Sequence, residues 1–180
     1  MLAIVLEIEV REGSFFIINF DKWEEGTMLI RRFEHADARN VAELINRNFF
    51  EVNIKDYTKE ELNARAFDEE KVRTVAGYAH MYLWCADSEI VGCGAISSYW
   101  GSLEESILLT IFVKPELHKK GIGKSIIETL EQDELFLRAK RIEIPASKTA
   151  CEFYQKMGYS YKNGVKQLDD EGHYRMEKFR

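Results

Sequence analysis

The residues of this 180-residue chain whose types and spacing point most directly to chemistry are His118-Lys119-Lys120-Gly121-Ile122-Gly123-Lys124-Ser125. They follow the apolar run ILLTIFVKP and lead into IIETLE. Glycines at 121 and 123 let consecutive backbone N–H groups approach an anion at the start of a helix, where the macrodipole adds about half a positive charge. That is the chemistry of gripping a phosphate. Gly123-Lys124-Ser125 supplies the second half of the Walker A pattern, but residue 118, where its first glycine belongs, is His. No acidic residue ends a second apolar strand in the manner of a Walker B site. A dinucleotide fingerprint starting at Gly121 would need glycine in place of Ile126. What remains is a loop that holds an anion at a helix N-terminus, or a tight strand-to-helix turn with no ligand.

The elements that must position this loop follow from hydrophobic periodicity. The near-continuous apolar run 106–113 predicts a strand in the middle of a sheet, buried on both faces, with pairing stopped by Pro115. The helix after the loop carries Ile126, Ile127 and Leu130 and extends towards Phe136 and Leu137. Upstream, MLIRRF alternates as a strand, and Asp37 can cap a helix with Val41, Leu44, Ile45 and Phe49 on one face. Thr58 and Glu61 make a capping box for a second helix through Leu62 and Ala66. AHMYLWCA and IVGCGAIS, joined at Asp87-Ser88, read as an antiparallel hairpin. Downstream, the short strand RIEI ends at Pro145, and Ser147 can cap a last helix that stops at Gly158. YSYKNGVKQL and HYRMEKF form a terminal hairpin around DDEG, with Gly172 at the turn. Strands at both ends with helices between them make an α/β domain around a mixed sheet.

Composition sets outer bounds. With 46% hydrophobic and 31% charged residues the chain can bury one core, so 28–180 is read as one domain. A net charge of -6 argues against general nucleic-acid binding, which needs clustered Lys and Arg. No apolar run approaches the roughly 20 residues of a membrane helix. The opening MLAIVLEIEV also lacks the basic start and cleavage site of a signal peptide, so a soluble cytoplasmic protein is expected. Cys85, Cys93 and Cys151 have no C-x-x-C spacing and are read as buried small hydrophobes. Residues 1–27 form an N-terminal extension with two readings. LAIVLEIEV and FFIINF around REGS make a hairpin that can add to a sheet edge. Alternatively, the purine-rich codons of Trp23-Glu24-Glu25-Gly26 resemble a bacterial ribosome-binding site just upstream of Met28, which would make Met28 the natural start. Mass spectrometry of the native N-terminus separates these, and a peptide containing Phe15 and Phe20 excludes the second.

Val113-Lys114-Pro115 followed by His118-Lys119-Lys120-Gly121-Ile122-Gly123 resembles the acetyl-coenzyme A loop of the GNAT family of N-acetyltransferases, V-x-P, a spacer, then [QR]-x-x-G-x-[GA]. Ala150, Phe153-Tyr154 and Lys156-Met157-Gly158-Tyr159 resemble the family's later A-x-x-F-Y-x-K-x-G-[FY] segment. The resemblance spans Met28 to Arg180 and implies the GNAT acyl-CoA N-acyltransferase fold: a mixed, twisted sheet splayed between its fourth and fifth strands, with flanking helices. It also implies transfer of acetyl from acetyl-CoA to a primary amine of a small molecule or peptide, with no metal. The loop differs from the pattern at His118, where the family has Gln or Arg, and Ser147 stands where many members have an Asn contacting the pantetheine arm.

On this resemblance, the loop amides of residues 118–125 (His118, Lys119, Lys120, Gly121, Ile122, Gly123, Lys124, Ser125) suit a pyrophosphate, and the three lysines can screen a 3'-phosphate. Ile111, Phe112 and Val113 can pair through their backbone with the pantetheine amides, as an added strand would. A backbone N–H near Ile111 or Phe112 can polarise the thioester carbonyl. With no Ser-His-Asp or Cys-His arrangement in view, direct attack in a ternary complex is favoured over a covalent acetyl-enzyme. Tyr154 matches the family tyrosine near the sulfur and is the candidate acid, its alternative being a core aromatic beside Phe153. Family members with a catalytic glutamate often hold it at the position of Ile107, and Glu105 lies one same-face step earlier, so it is the candidate base, its alternative being a solvated strand end. Phe49, Phe50, Tyr57, Tyr99 and Trp100 with Glu51, Glu104 and Glu105 are the acceptor-side candidates, suited to a small cationic amine or a peptide N-terminus. The competing reading is a coenzyme A-binding sensor or interaction module without catalysis, and a third is a nucleotide-binding module. A homodimer is one option for assembly.

Overall fold

A computed structural model describes residues 15–18 and 28–180. Its strands are β1 (Phe15–Ile18), β2 (Met28–Arg32), β3 (His80–Ala86), β4 (Glu89–Ser98), β5 (Glu105–Val113), β6 (Arg141–Ala146), β7 (Ser160–Tyr161) and β8 (Tyr174–Phe179). They form one sheet in the order β1-β2-β3-β4-β5-β6-β8-β7. Every pairing is antiparallel except that of β5 with β6, which is parallel. Helices α1 (Ala38–Glu51), α2 (Lys59–Arg65) and α3 (Glu69–Tyr78) join β2 to β3. Helices α4 (Ile122–Leu130) and α5 (Glu134–Arg138) join β5 to β6, and α6 (Cys151–Lys156) follows β6. This is the α/β architecture expected.

Strand alternation divides the core into two layers. Trp84, Leu108, Ile142 and Ile144 turn to one face and bury with Ile122, Ile126, Ile127 and Leu130 of α4, Phe136 of α5 and Tyr154 of α6. Met81, Leu83, Cys93 and Ala95 turn to the other and bury with Val41, Leu44 and Ile45 of α1 and Val72 and Val75 of α3. The hairpin of β3 and β4 turns at Asp87 and Ser88, both with positive φ (48° and 69°), as a two-residue hairpin turn requires. All three cysteines are buried and unbridged, as expected. The FFIINF strand is present over Phe15–Ile18, paired with β2. Its expected partner LAIVLEIEV and the REGS turn lie outside the described residues. No helix among the described residues is long and apolar enough to cross a membrane.

Several local expectations are corrected. Asp37 precedes α1 but does not cap it: its carboxylate takes both Arg31 guanidinium nitrogens at 2.7 Å and the Glu34 N–H at 2.8 Å. The helix after the glycine loop does not run through to Leu137. Asp133 interrupts it by accepting from the Leu135 N–H at 2.8 Å, which starts α5, and from the Tyr82 hydroxyl at 2.8 Å, which pins the break to the sheet. Helix α3, started by Asp68 accepting from the Lys71 N–H at 2.8 Å, was not foreseen. The terminal hairpin shrinks to a two-residue β7 because Asp169 instead gathers the N–H groups of Glu171 and His173 into a loop. The Thr58–Glu61 capping box is present as expected.

Two glycines of β4 let α4 lie directly on the sheet. A Cβ at Gly94 would stand 2.5 Å from Ile126 Cγ2 and 3.2 Å from Leu130 Cδ1. Gly94→Ala should therefore cost about 1–3 kcal/mol, the usual range for overpacking. Urea unfolding should show it as a lower midpoint at unchanged slope.

Candidate active site

Strands β5 and β6 pair over three residues only: Glu105 with Arg141, Ser106 with Ile142 and Ile107 with Glu143. Beyond that rung the strands part, and the edge of β5 facing β6 has no strand partner from Leu108 to Val113. This is why the central strand, expected to be buried on both faces, is only half-buried at Leu109, Thr110, Ile111 and Phe112. An open strand edge inside a domain offers N–H and C=O groups to an extended ligand. On its other edge β5 stays paired with β4 up to Val113. There Cys93 faces Phe112 and Ala95 faces Leu109, so Thr110 and Ile111 together oppose Gly94. The result is a β-bulge in the middle of the splayed segment.

The glycine loop begins where β5 ends. After a 3-10 turn at Pro115–Leu117, Lys119 takes φ 65° and Gly121 φ 93°, and α4 starts at Ile122. Only Gly121 of these two is free of a Cβ penalty in that conformation. The first intrahelical bond is Ser125 N–H to Gly121 C=O at 3.0 Å. The N–H groups of residues 122–124 therefore have no partner within the helix and stand at its positive end. Gly123 serves packing: a Cβ there would lie 3.4 Å from Phe153 Cζ, so α6 rests against the first turn of α4. The loop side chains divide by role. His118 Nε2 bonds back to the Val113 carbonyl at 2.9 Å, tying the loop to the strand end. Ser125 is turned into the core, where its hydroxyl accepts from Trp84 Nε1 at 3.0 Å, so that side chain is not offered to a phosphate. Lys119, Lys120 and Lys124 are exposed, with Lys124 3.4 Å from Glu128.

The end of β6 runs into a 3-10 turn at Lys148–Ala150 and then α6. Ser147 does not cap with its side chain, and its hydroxyl lies 3.4 Å from Thr149 Oγ1. The turn is clamped from across the site by Asp56, which accepts from the Thr149 N–H at 3.0 Å and its hydroxyl at 2.8 Å. Tyr154 is 6% exposed, in ring contact with Phe153 and Tyr159. Burial raises its phenol above the ordinary value, so the proton stays on it at neutral pH.

The acceptor-side candidates are only partly gathered. Glu105 is held by Arg141 at 3.2 Å, and Arg141 also reaches Glu177 at 2.7 Å and the fully buried Glu143. Glu143 is further paired with Lys162 at 2.9 Å and Arg175 at 3.5 Å. Tyr99 sits under this group, with Arg141 5.6 Å and Lys162 5.9 Å from its ring centre. Its face thus already carries cations of the chain. Trp100 is 91% exposed, Phe50 is at the surface of α1, and Glu104 is an exposed partner of Lys140. Phe49 packs into the core against Phe112, with ring centres 5.4 Å apart. Tyr57 meets His173 at 6.1 Å and donates to the Gly172 carbonyl at 3.3 Å, so the start of α2 touches the loop before β8. Asp169, Glu171 and His173 in that loop bring ligand-type atoms within 4.8 Å of one another, but Arg175 pairs with both carboxylates and supplies the positive charge there.

Sequence reading missed Arg141, Glu143 and Thr110. Arg141 and Glu143 alternate with Ile142 and Ile144, a pattern that by itself marks only the polar face of a strand, and their partners Glu177, Arg175 and Lys162 come from β8 and the loop before it. Thr110 did leave a trace, as the one polar residue within ILLTIFV.

The model of the acetyltransferase (GNAT) family matches residues 38–159. An amino-acid acetyltransferase from Mycobacterium tuberculosis is 31% identical over 77 residues, 43% of this chain and 42% of that protein. The match thus spans less than half of that curated relative. In shape, the chain is similar to the PaiA N-acetyltransferase of Thermoplasma acidophilum, solved in complex with coenzyme A. Those two have a TM-score of 0.73 at 18% identity, over 85% of this chain and 99% of that one. A GCN5-related N-acetyltransferase from Rhodopseudomonas palustris gives a TM-score of 0.70 at 20% identity, over 84% of this chain and 94% of that one. With the splayed central strands, the glycine loop and two thirds of its length matching the family model, the chain belongs to the acetyltransferase (GNAT) family.

Proposed function

We propose that this protein transfers the acetyl group of acetyl-CoA to a primary amine of a small molecule or peptide, by direct attack in a ternary complex. The observation that carries this reading is the parting of β5 from β6 after Ile107, directly before a loop that presents the unpaired N–H groups of 122–124. The residues present fit the coenzyme. The backbone of Ile111, Phe112 and Val113 would hold the pantetheine arm, the amides of 122–124 the pyrophosphate, and Lys119 and Lys124 the outer phosphate. Bound there, acetyl-CoA supplies an activated thioester.

The chain's own groups supply the rest. A backbone N–H at the bulge near Ile111 or Phe112 would donate to the carbonyl oxygen as it gains negative charge. Tyr154, kept protonated by burial, would donate to the departing sulfur. Glu105, held by Arg141 at the near end of the splay, would take a proton from the amine, directly or through water. The balance is a C–N bond formed, a C–S bond broken, one proton lost by the amine and one gained by the thiolate. Release of free thiol from acetyl-CoA, measured against a panel of amines, tests the reading. Amine-dependent release supports it. Tight binding of coenzyme A with no turnover on any amine would favour the non-catalytic module instead.

His118 offers a graded check of the loop. His118→Ala removes one hydrogen bond, worth about 1 kcal/mol. Affinity for coenzyme A should fall by about five-fold, with kcat unchanged, as read by calorimetry and steady-state kinetics.

A further inference from the structure

Thr110 combines two local costs at the centre of the splayed segment. It is a β-branched residue at φ 48°, a conformation strongly disfavoured for its type. Its Oγ1 is also sealed from solvent with no hydrogen-bond partner among the described residues. Both are costly to keep in a folded chain. Valine would fill the same volume as threonine without the hydroxyl. The strained backbone is held in place: Cys93 Sγ donates to the Thr110 carbonyl at 3.2 Å. A buried hydroxyl without a partner, in a bulge kept at positive φ, on the strand edge that β6 leaves open, is a group whose partner comes from outside the chain.

We infer that Thr110 is a further catalytic residue, whose hydroxyl donates a hydrogen bond to the acyl carbonyl oxygen beside the backbone N–H of the bulge. Rotation about one side-chain bond would exchange the hydroxyl with the methyl among staggered positions and bring it out of its sealed position. The hydroxyl keeps its proton throughout and is neither nucleophile nor base. This inference rests on the acetyl-transfer reading above and extends it to a side chain.

The test uses the full chain with Thr110→Val, Thr110→Ser and Thr110→Ala. Wild-type turnover is measured first. Its absence on every amine would defeat the acetyl-transfer reading itself, whatever Thr110 does. Given turnover, Thr110→Val should lose about 100-fold in kcat, the scale of one donor to a developing oxyanion, with KM for acetyl-CoA little changed, while Thr110→Ser keeps most activity. A second readout needs no turnover. Thermal melts should show the valine variant at least as stable as wild type without ligand, since a partnerless hydroxyl is gone. The extra protection that acetyl-CoA gives over coenzyme A should shrink. Wild-type kcat in the valine variant would overturn the proposal. So would equal loss of protection by acetyl-CoA and coenzyme A, which would place the contact on the pantetheine arm. Should the valine variant melt early, the alanine variant, which relieves the strain, must show the same loss of kcat for the proposal to stand.

Discussion

Tyr154→Phe should lower kcat by about 100-fold or more, within the range for loss of a positioned general acid, and leave binding of coenzyme A unchanged. The phenol lies in the core layer under α4 and α6, and its hydroxyl makes no hydrogen bond among the described residues. Phenylalanine fills the same space, so the melting temperature should hold, and a loss of activity would then belong to the proton and not to packing. Burial raises the phenol above its ordinary value of 10. The sign for pH follows: the acid must be protonated to act, so kcat should not fall on its account as pH rises to its ordinary value of 10. An unaltered kcat in the phenylalanine variant would reduce Tyr154 to a core aromatic.

The second large effect is on stability. Glu143→Gln should cost about 3–5 kcal/mol, the range for removing one partner of a buried ion pair. Its side chain is 0% exposed and faces Arg141, Lys162 and Arg175, which would be left partly uncompensated. Glu105→Gln touches the same Arg141 from the half-exposed end and should cost no more than about 1 kcal/mol. Urea unfolding of the two variants measures the contrast. Equal losses would mean the charge group shares its load evenly and has no buried centre. Because Ile107 and Glu143 form the last paired rung before the strands part, the glutamine variant should also loosen the apex of the opening. Protection of coenzyme A-bound protein against heat should shrink in proportion.

The sequence alone carried the family, most of the order of elements and the glycine loop. These depend on local patterns: glycines at 121 and 123 behind V-K-P, alternation in β2 and β3, a capping box at Thr58, and FYQKMGY at the far end of the domain. Each is set by a few neighbouring residues, so each can be read without the fold. Where local chemistry offered two outlets, reading failed. Asp37 was a capable cap but went to Arg31, and Asp133, which interrupts the helix and caps the next one, also reaches the sheet through Tyr82.

What only the tertiary structure decided is the state of each site group. Ser125 completes a phosphate motif on paper, yet α4 turns it to Trp84. His118 is taken up by Val113, and Tyr99 by two cations contributed by β6 and the loop after β7. Glu105 gains its partner only because β6 pairs with β5 for three residues and then leaves. Thr110 is one hydroxyl in an apolar strand until a register shift against β4 twists it to positive φ and closes off its oxygen. Long-range pairing and burial fix these outcomes, because a side chain's charge and hydrogen-bond partners come from residues distant in sequence. Periodicity determined which elements form, and strand register determined what their side chains can do.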